Sequence, residues 1–218
     1  MLDLLLPQRC VVCRLPGRLV CDACRERLPR IEPPLCARCG APTAWPVERC
    51  RECAGRRLAF ASARSAVAYD SAVRTIVSGW KERGLRGVAV LAADLIVDAL
   101  PRPEVCTVAF VPADGDRSLR RGHRPAEGLA RELGRRWELP VEQTVERARS
   151  LPRQRGLSPL ERRRNVRGAF RPARPTAGAI CLVDDVYTTG ATASAAASAL
   201  REAGAVCVEV ITFARAVR

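Results

Sequence analysis

The chain has 218 residues, of which 48% are hydrophobic, a composition that suits a globular protein of one or two domains with one good apolar core. Residues 1–7 are too short for a signal peptide and include Asp3, and no other apolar run could cross a bilayer, so we expect a cytoplasmic protein without a membrane span. The formal net charge of +14 at pH 7 suggests an acidic partner such as nucleic acid.

Eight of the eleven cysteines form four C-x-x-C pairs within the first 53 residues. Such pairs supply tetrahedral zinc sites with four thiolate ligands, which a short segment with few large apolar residues needs in order to fold. No secretory signal accompanies them, which disfavours a disulfide framework. We therefore predict two structural zinc ions. Their ligands are Cys10, Cys13, Cys21, Cys24, Cys36, Cys39, Cys50 and Cys53.

The spacing of these cysteines leaves the assignment of ligands to the two zinc ions open. Pairing in sequence order, Cys10 to Cys24 and then Cys36 to Cys53, keeps each loop short and local. An interleaved arrangement satisfies the same motifs. With eight thiolates and two zinc ions the net charge falls to about +10, so the protein remains basic.

From Phe60 onward the cysteine pattern gives way to alternating helices and strands. The pattern of apolar residues defines each element. The predicted elements are a strand over 65–69, a helix with its apolar face at 73–80, a second helix through Leu91 and Leu95, a buried strand over 105–111 and a helix over 125–137.

Lys81 is the only lysine in a chain that uses 36 arginines. An ammonium is a compact point charge, whereas a guanidinium is a planar fork, and this difference can matter beside a phosphate. The residue type alone fits a solvated surface lysine equally well.

Residues 147–174 contain ten arginines against one acidic residue, Glu161, with scattered Pro and Gly. Such a segment cannot pack as core, and we predict a basic flexible arm. Its charge suits either closure over an anionic ligand or contact with a nucleic-acid strand. A solvated basic loop is the alternative.

Residues 179–213 form the most informative segment. An apolar run from Ala179 to Val183 predicts a buried parallel strand, and residues 191–203 lack Gly and Pro and predict a helix that Gly204 caps. The apolar, β-branched residues 206–213 predict a second strand. The whole segment is therefore one βαβ unit.

The turn inside this unit has the chemistry of a phosphate site. Residues 188–192 offer backbone N–H groups at a helix N-terminus, three threonine hydroxyls and a glycine that permits close approach. Asp184 and Asp185 precede it and suit sugar hydroxyls or a metal shared with the phosphate. A ribose 5-phosphate matches both parts, whereas an ordinary strand–turn–helix needs neither paired Asp nor three Thr.

These residues resemble the phosphoribosyl-pyrophosphate (PRPP) signature of type I phosphoribosyltransferases. The matching run is Ile180-Cys181-Leu182-Val183-Asp184-Asp185, then Val186-x-Thr188-Thr189-Gly190-Ala191-Thr192. The resemblance implies that Asp184 and Asp185 bind the ribose and that Thr188, Thr189, Gly190, Ala191 and Thr192 bind the 5-phosphate. It also implies that magnesium accompanies PRPP.

Over almost its full length the chain resembles the ComF family, competence-associated proteins with a double zinc ribbon and a phosphoribosyltransferase-like domain. The supporting segments are Lys81-x-Arg83-Gly84, then Val111-Pro112 with Arg120-Arg121-Gly122, then Arg162-Arg163-Arg164-Asn165-Val166. Where the family has its pyrophosphate loop, this chain has Asp114 and Asp116. The resemblance favours a catalytic role for Lys81 with Asp184 and Asp185, and makes Arg121, Arg162, Arg163 and Arg164 candidate contacts for nucleic acid or phosphate.

The sequence thus predicts an α/β fold, a mostly parallel sheet with flanking helices of the type I phosphoribosyltransferase kind, preceded by a small Cys-rich domain. We expect the double zinc ribbon to span residues 1–58 and the second domain residues 59–218.

Two functions follow from the resemblance. One is transfer of a phosphoribosyl group to an unidentified acceptor in a protein linked to DNA uptake, with competence proteins as partners. The other is non-catalytic PRPP sensing or handling of single-stranded DNA.

Overall fold

The computed structural model describes residues 8–113, 123–148 and 168–217. Its centre is a sheet of five strands in the order β1-β7-β6-β2-β3, in which every neighbouring pair is parallel. The strands are β1 (Ser62–Ala68), β2 (Thr107–Phe110), β3 (Val141–Glu142), β6 (Ala179–Tyr187) and β7 (Cys207–Arg215). The predicted mostly parallel sheet is confirmed.

Two further short strands, β4 (Val145–Arg147) and β5 (Phe170–Pro172), pair with each other in antiparallel register. They lie at the two ends of the segment that we predicted to be a flexible arm. Arg147 donates a hydrogen bond to the carbonyl of Pro112 at 2.8 Å, and its guanidinium lies over the ring of Phe170. The two ends of this segment therefore have regular structure, in contact with an aromatic ring and a backbone carbonyl, and the flexible arm stays a prediction.

Five helices accompany the sheet in the described residues. They are α1 (Asp22–Glu26), α2 (Ser71–Arg83), α3 (Gly87–Ala99), α4 (Pro125–Trp137) and α5 (Ala191–Glu202). The Asp70 side chain caps α2 by accepting the N–H of Val73 at 2.8 Å, and Gly84 ends the helix in a left-handed conformation. The predicted helix over 125–137 is confirmed. Among these helices, none combines the length and the apolar character needed to span a membrane.

The two faces of the sheet carry separate apolar cores because successive side chains of a strand point to opposite faces. In β6, Cys181 and Val183 pack with α2, α3 and α4, whereas Ile180 and Leu182 pack with α5. The sheet is thus covered on both faces, as a parallel sheet requires.

The Cys-rich region lies along the outer edge of β1. The N–H groups of Ile31 and Ala68 donate to the carbonyls of Ala66 and Pro29, so the segment between the two cysteine clusters covers that edge. The first half of the region contributes Val11, Val20 and Leu28 to the core of α2, α3 and α4. The second half contributes Cys36, Cys39 and Cys53 to the core of α5.

Candidate functional site

The predicted phosphate loop, residues 188–192, lies at the carboxyl end of β6, where the strand meets α5. Gly190 has φ 70° and ψ 8°, a left-handed conformation that glycine adopts without strain. A Cβ atom at this position would lie 2.3 Å from the hydroxyl oxygen of Tyr187. The glycine is therefore required both by the backbone conformation and by the close approach of Tyr187.

The loop presents backbone donors that find no acceptor among the described residues. The backbone N–H groups of Thr188, Thr189 and Gly190 donate to no acceptor within the described part of the chain. The hydroxyl of Thr189 accepts the N–H of Ala191 at 3.3 Å and so shapes the start of α5. A small cleft runs beside the loop, and its lining includes Asp184, Thr188, Gly190, Thr192 and Thr212. Amides without a protein acceptor at a helix N-terminus can bind an anion.

Lys81 meets the carboxylate pair from the last turn of α2. Its Nζ atom lies 2.6 Å from Oδ1 of Asp185, whose side chain is 13% exposed. Burial opposes the charged ammonium, but the charge of Asp185 and its hydrogen bond outweigh that effect and raise the pKa of Lys81. The structure thus brings together Lys81, Asp184 and Asp185, three residues that the sequence motifs had indicated.

Asp184 differs from Asp185 in its environment. Its Oδ1 atom accepts the backbone N–H of Asp185 at 2.8 Å. Burial and the neighbouring charge of Asp185 raise its pKa to about 7, although Lys81 acts in the opposite direction. A carboxyl group with a raised pKa is able both to donate to and to accept from a sugar hydroxyl.

The eight N-terminal cysteines form two separate clusters in sequence order. The cysteines of each cluster bring their sulfur atoms within 4.8 Å of one another. The first cluster consists of Cys10, Cys13, Cys21 and Cys24, and the second of Cys36, Cys39, Cys50 and Cys53. This grouping matches the sequential alternative and not the interleaved one.

The chemistry of the clusters fits zinc. Backbone N–H groups of Cys21 and Cys50 approach the sulfur atoms of Cys10 and Cys36 at 3.5 and 3.3 Å. Burial works against the thiolate, but these and neighbouring N–H groups lower the pKa to about 6 for Cys10 and about 7 for Cys36. Four sulfur ligands in a closed site are typical of structural zinc, and we assign both clusters to it.

Two arginines join the second cluster to the phosphate loop, and neither was assigned to the site from the sequence. Arg56 lies three residues after Cys53, the last cysteine of the second cluster, and donates to the carbonyl of Thr189 at 2.6 Å. Arg215 ends β7, is 1% exposed, and donates to the carbonyl of Cys39 and to Glu52, both at 2.6 Å. The sequence signal that could have identified Arg215 is its position as a charged residue at the end of an otherwise largely apolar strand.

Several predicted residues lie outside the described residues. They are Asp114, Asp116, Arg121, Arg162, Arg163 and Arg164. The proposed contacts of these arginines with nucleic acid therefore stay predictions, as does the flexible character of residues 149–167.

Comparisons with known proteins agree with the ribbon assignment and extend over the whole chain. Residues 1–54 match the family model described as "Double zinc ribbon domain". The chain is 30% identical to "DNA utilization protein YhgH" of Salmonella typhi, over 97% of this chain and 99% of that protein. It is 28% identical to "Competence protein F" of Haemophilus influenzae, over 95% and 97% of the two chains. A solved orotate phosphoribosyltransferase from Aeropyrum pernix overlaps it with a TM-score of 0.35 and 22% identity, over 68% of this chain and 67% of that one.

Proposed function

The chain belongs to the ComF family, and we propose that it binds PRPP, or another ribose 5-phosphate ligand, at the carboxyl end of β6. The 5-phosphate accepts hydrogen bonds from the N–H groups of Thr188, Thr189 and Gly190 and from the hydroxyls of Thr188 and Thr192. Ala191 contributes the first turn of α5, whose dipole favours an anion. The observation that carries this proposal is the row of unused amides directly beyond a carboxylate pair.

The ribose hydroxyls bind to Asp184 and Asp185. A carboxylate accepts two hydroxyl hydrogen bonds side by side, which fixes the orientation of the sugar ring. The ion pair with Lys81 holds Asp185 in place at 2.6 Å and reduces the repulsion between its negative charge and the phosphates. The phosphate loop and the carboxylates thus recognise the two ends of one small ligand.

The same arrangement supports transfer of the phosphoribosyl group. The bond between ribose C1 and the pyrophosphate oxygen breaks, its electron pair leaves with pyrophosphate, and a nucleophile on the acceptor forms the new bond to C1. Negative charge grows on the leaving group, and positive charge grows on the ring. Lys81 stabilises the former and Asp184 with Asp185 the latter, which is the kind of charge stabilisation that lowers a reaction barrier.

Magnesium fits the chemistry of this site, because its preferred ligands are carboxylate oxygens and phosphates. Asp184 and Asp185 are the residues that would hold it together with the ligand. When bound, the ion would neutralise charge on the pyrophosphate. The acceptor is unidentified.

A second function has its own support in the charge of the protein and in its relatives. The relatives carry the names of a competence protein and a DNA utilization protein, and this chain has a formal charge of +14. We propose a role in DNA uptake or use, in the cytoplasm and beside competence proteins. A basic surface would then hold single-stranded DNA while the ribose-phosphate site senses its ligand without turnover. We also keep the division into residues 1–58 and 59–218 as a proposal.

Calorimetric titration of PRPP, with and without magnesium, tests the binding site. We expect Asp184→Asn and Asp185→Asn to weaken binding at least about tenfold, because each removes a charged hydrogen-bond acceptor. Asp98→Asn is the control, since Asp98 is an exposed carboxylate on α3 that pairs with Arg25. Equal affinity in all four proteins would overturn the assignment.

Pyrophosphate release separates the two functions. The intact protein is incubated with PRPP, magnesium and a panel of nucleobases, amines and DNA strands. Release that depends on one acceptor and is lost in Lys81→Met supports transfer. Binding of PRPP without release over the whole panel supports the sensing function.

A further inference from the structure

The guanidinium of Arg215 is a buried contact between the second cysteine cluster and the sheet. It is nearly inaccessible, with 1% of its surface exposed. It donates to the carbonyl of Cys39 and to Oε2 of Glu52, and one of its nitrogens lies 3.7 Å from the sulfur of Cys39. A buried cation needs such compensation, because its desolvation is costly. A zinc ion with four thiolates carries a net negative charge, so the intact cluster compensates the positive charge of Arg215.

The opposite face of Arg215 lies against Tyr187. The guanidinium carbon is 4.6 Å from the centre of the tyrosine ring, at a distance typical of a cation–π contact. The Tyr187 hydroxyl in turn approaches Gly190 so closely that a Cβ there would lie 2.3 Å away. Arg215 is therefore the link in a continuous set of contacts from Cys39 through Tyr187 to Gly190 of the phosphate loop.

Arg56 provides a second and independent contact. It lies three residues after Cys53 and donates from Nη2 to the carbonyl oxygen of Thr189 at 2.6 Å. That carbonyl and the N–H of Gly190 belong to one planar trans peptide, so they point in opposite directions. By holding the Thr189 oxygen, Arg56 turns the Gly190 N–H away from the ribbon, in the direction that an anion would use.

The first cluster has no comparable contact with the loop among the residues that the structure describes. A polar link between this cluster and α3 is the ion pair between Arg25 and Asp98, at 3.0 Å with both side chains partly exposed. Its apolar residues pack with the helices on the other face of the sheet. The two clusters therefore differ in what they can do to the site.

We propose that Arg56 and Arg215 are positioning residues that make the anion affinity of the phosphate loop depend on an intact second zinc cluster. The inference rests on the proposed phosphate site. Zinc bound by Cys36, Cys39, Cys50 and Cys53 fixes the backbone that holds both arginines, and they fix Gly190 and the peptide before it. Loss of this zinc lowers ligand affinity, whereas loss of zinc from the first cluster does not.

The test measures binding of inorganic phosphate and of PRPP to the full chain by calorimetry, together with the zinc-to-chain ratio. Arg56→Met is expected to weaken phosphate binding about tenfold, the effect of losing one charge-assisted contact, with zinc content unchanged. Arg56→Lys restores part of that loss, because an ammonium can still reach a carbonyl. Arg57→Met is the matched control, since it removes the same charge from the adjacent exposed residue.

Cluster variants test the dependence on zinc without relying on Arg215, whose replacement could prevent folding. Cys50→Ser in the second cluster is expected to lower phosphate affinity at least about tenfold, and Cys13→Ser in the first to leave it within about twofold. Equal effects of the two cysteine variants, or of Arg56→Met and Arg57→Met, would overturn the inference. If the unmodified protein binds neither phosphate nor PRPP, the proposed function fails instead.

Discussion

The two zinc ribbons use the same ligand chemistry but are built into the molecule in different ways. In the first ribbon Cys13 is exposed, and the polar link to α3 is a partly exposed ion pair. In the second ribbon Cys36, Cys39 and Cys53 are all buried, and Arg215 is enclosed between the cluster and the sheet. The difference shows that a metal site repeated in the sequence need not repeat its role in the fold.

We expect the two ribbons to differ most in their contribution to the thermodynamic stability of the chain. We expect Cys39→Ser to lower the free energy of unfolding by about 3–5 kcal/mol, because it breaks a buried charge arrangement and leaves Arg215 with less compensation. Cys13→Ser should cost clearly less, since its cluster is more exposed. Urea unfolding followed by the fluorescence of Trp80 and Trp137, both buried in the core, gives the comparison. Equal losses would mean that the two ribbons are equivalent.

A substitution in the phosphate loop tests the contact between Tyr187 and Gly190. Gly190→Ala must displace the tyrosine hydroxyl and strain a left-handed backbone, so we expect a loss of about 1–3 kcal/mol in stability and no measurable phosphate binding. Gly55→Ala is the matched control in the second ribbon, because Gly55 has φ 68° with nothing within 4 Å of an added Cβ. If both variants bind phosphate equally, the contact between Tyr187 and Gly190 does not contribute to phosphate binding.

Much of this arrangement could be predicted from local sequence patterns. The apolar run from Ala179, the Gly- and Pro-free helix after it and the apolar face of residues 125–137 define elements that the structure contains with ends shifted by a few residues at most. The cysteine spacing predicted two zinc sites but left the grouping open between the sequential and the interleaved arrangement, although sequential pairing keeps each loop short. Each of these signals depends on residues that are close together in the chain.

The contacts of Arg56 and Arg215 could not be predicted in this way. Arg56 and Thr189 are 133 residues apart, and Arg215 and Cys39 are 176 apart. Periodicity assigns a side chain to a face of a strand or helix, but it does not identify the partner from another part of the chain. The paired strands β4 and β5 were missed for a similar reason, since three-residue strands are too short to show alternation.

The raised pKa of Asp184 predicts a pH dependence of stability. Its pKa rises from an ordinary value of 3.8 to about 7 on folding, so the folded chain binds this proton more tightly than the unfolded chain does. The resulting stabilisation is fully present below the unfolded pKa and is lost as the pH rises through the folded pKa of about 7. Asp184→Asn should therefore gain stability relative to the unmodified protein as the pH rises over this range. Urea unfolding at several pH values, with Asp98→Asn as the control, measures the difference; parallel curves for all three proteins would contradict the shift.

The smallest loss of stability is expected from breaking the ion pair that links the first ribbon to α3. Arg25→Met removes the ion pair with Asp98. The Arg25 side chain is 35% exposed and the Asp98 side chain 57% exposed. Exposed pairs of this kind contribute at most about 1 kcal/mol, and less at high salt. Thermal unfolding in low and high salt measures it. A loss comparable to that of Cys39→Ser would show that the first ribbon is as firmly integrated as the second.

The most direct measurement of the ribose-phosphate site is a titration with inorganic phosphate, and then with PRPP, followed by the amide signals of the ¹⁵N-labelled protein. We predict that the amides of Thr188, Thr189 and Gly190 shift first and furthest with both ligands. The amides of Asp184 and Asp185 should respond to PRPP more than to phosphate. Saturable shifts confined to other parts of the chain, with the loop amides unmoved, would contradict the assignment of the site.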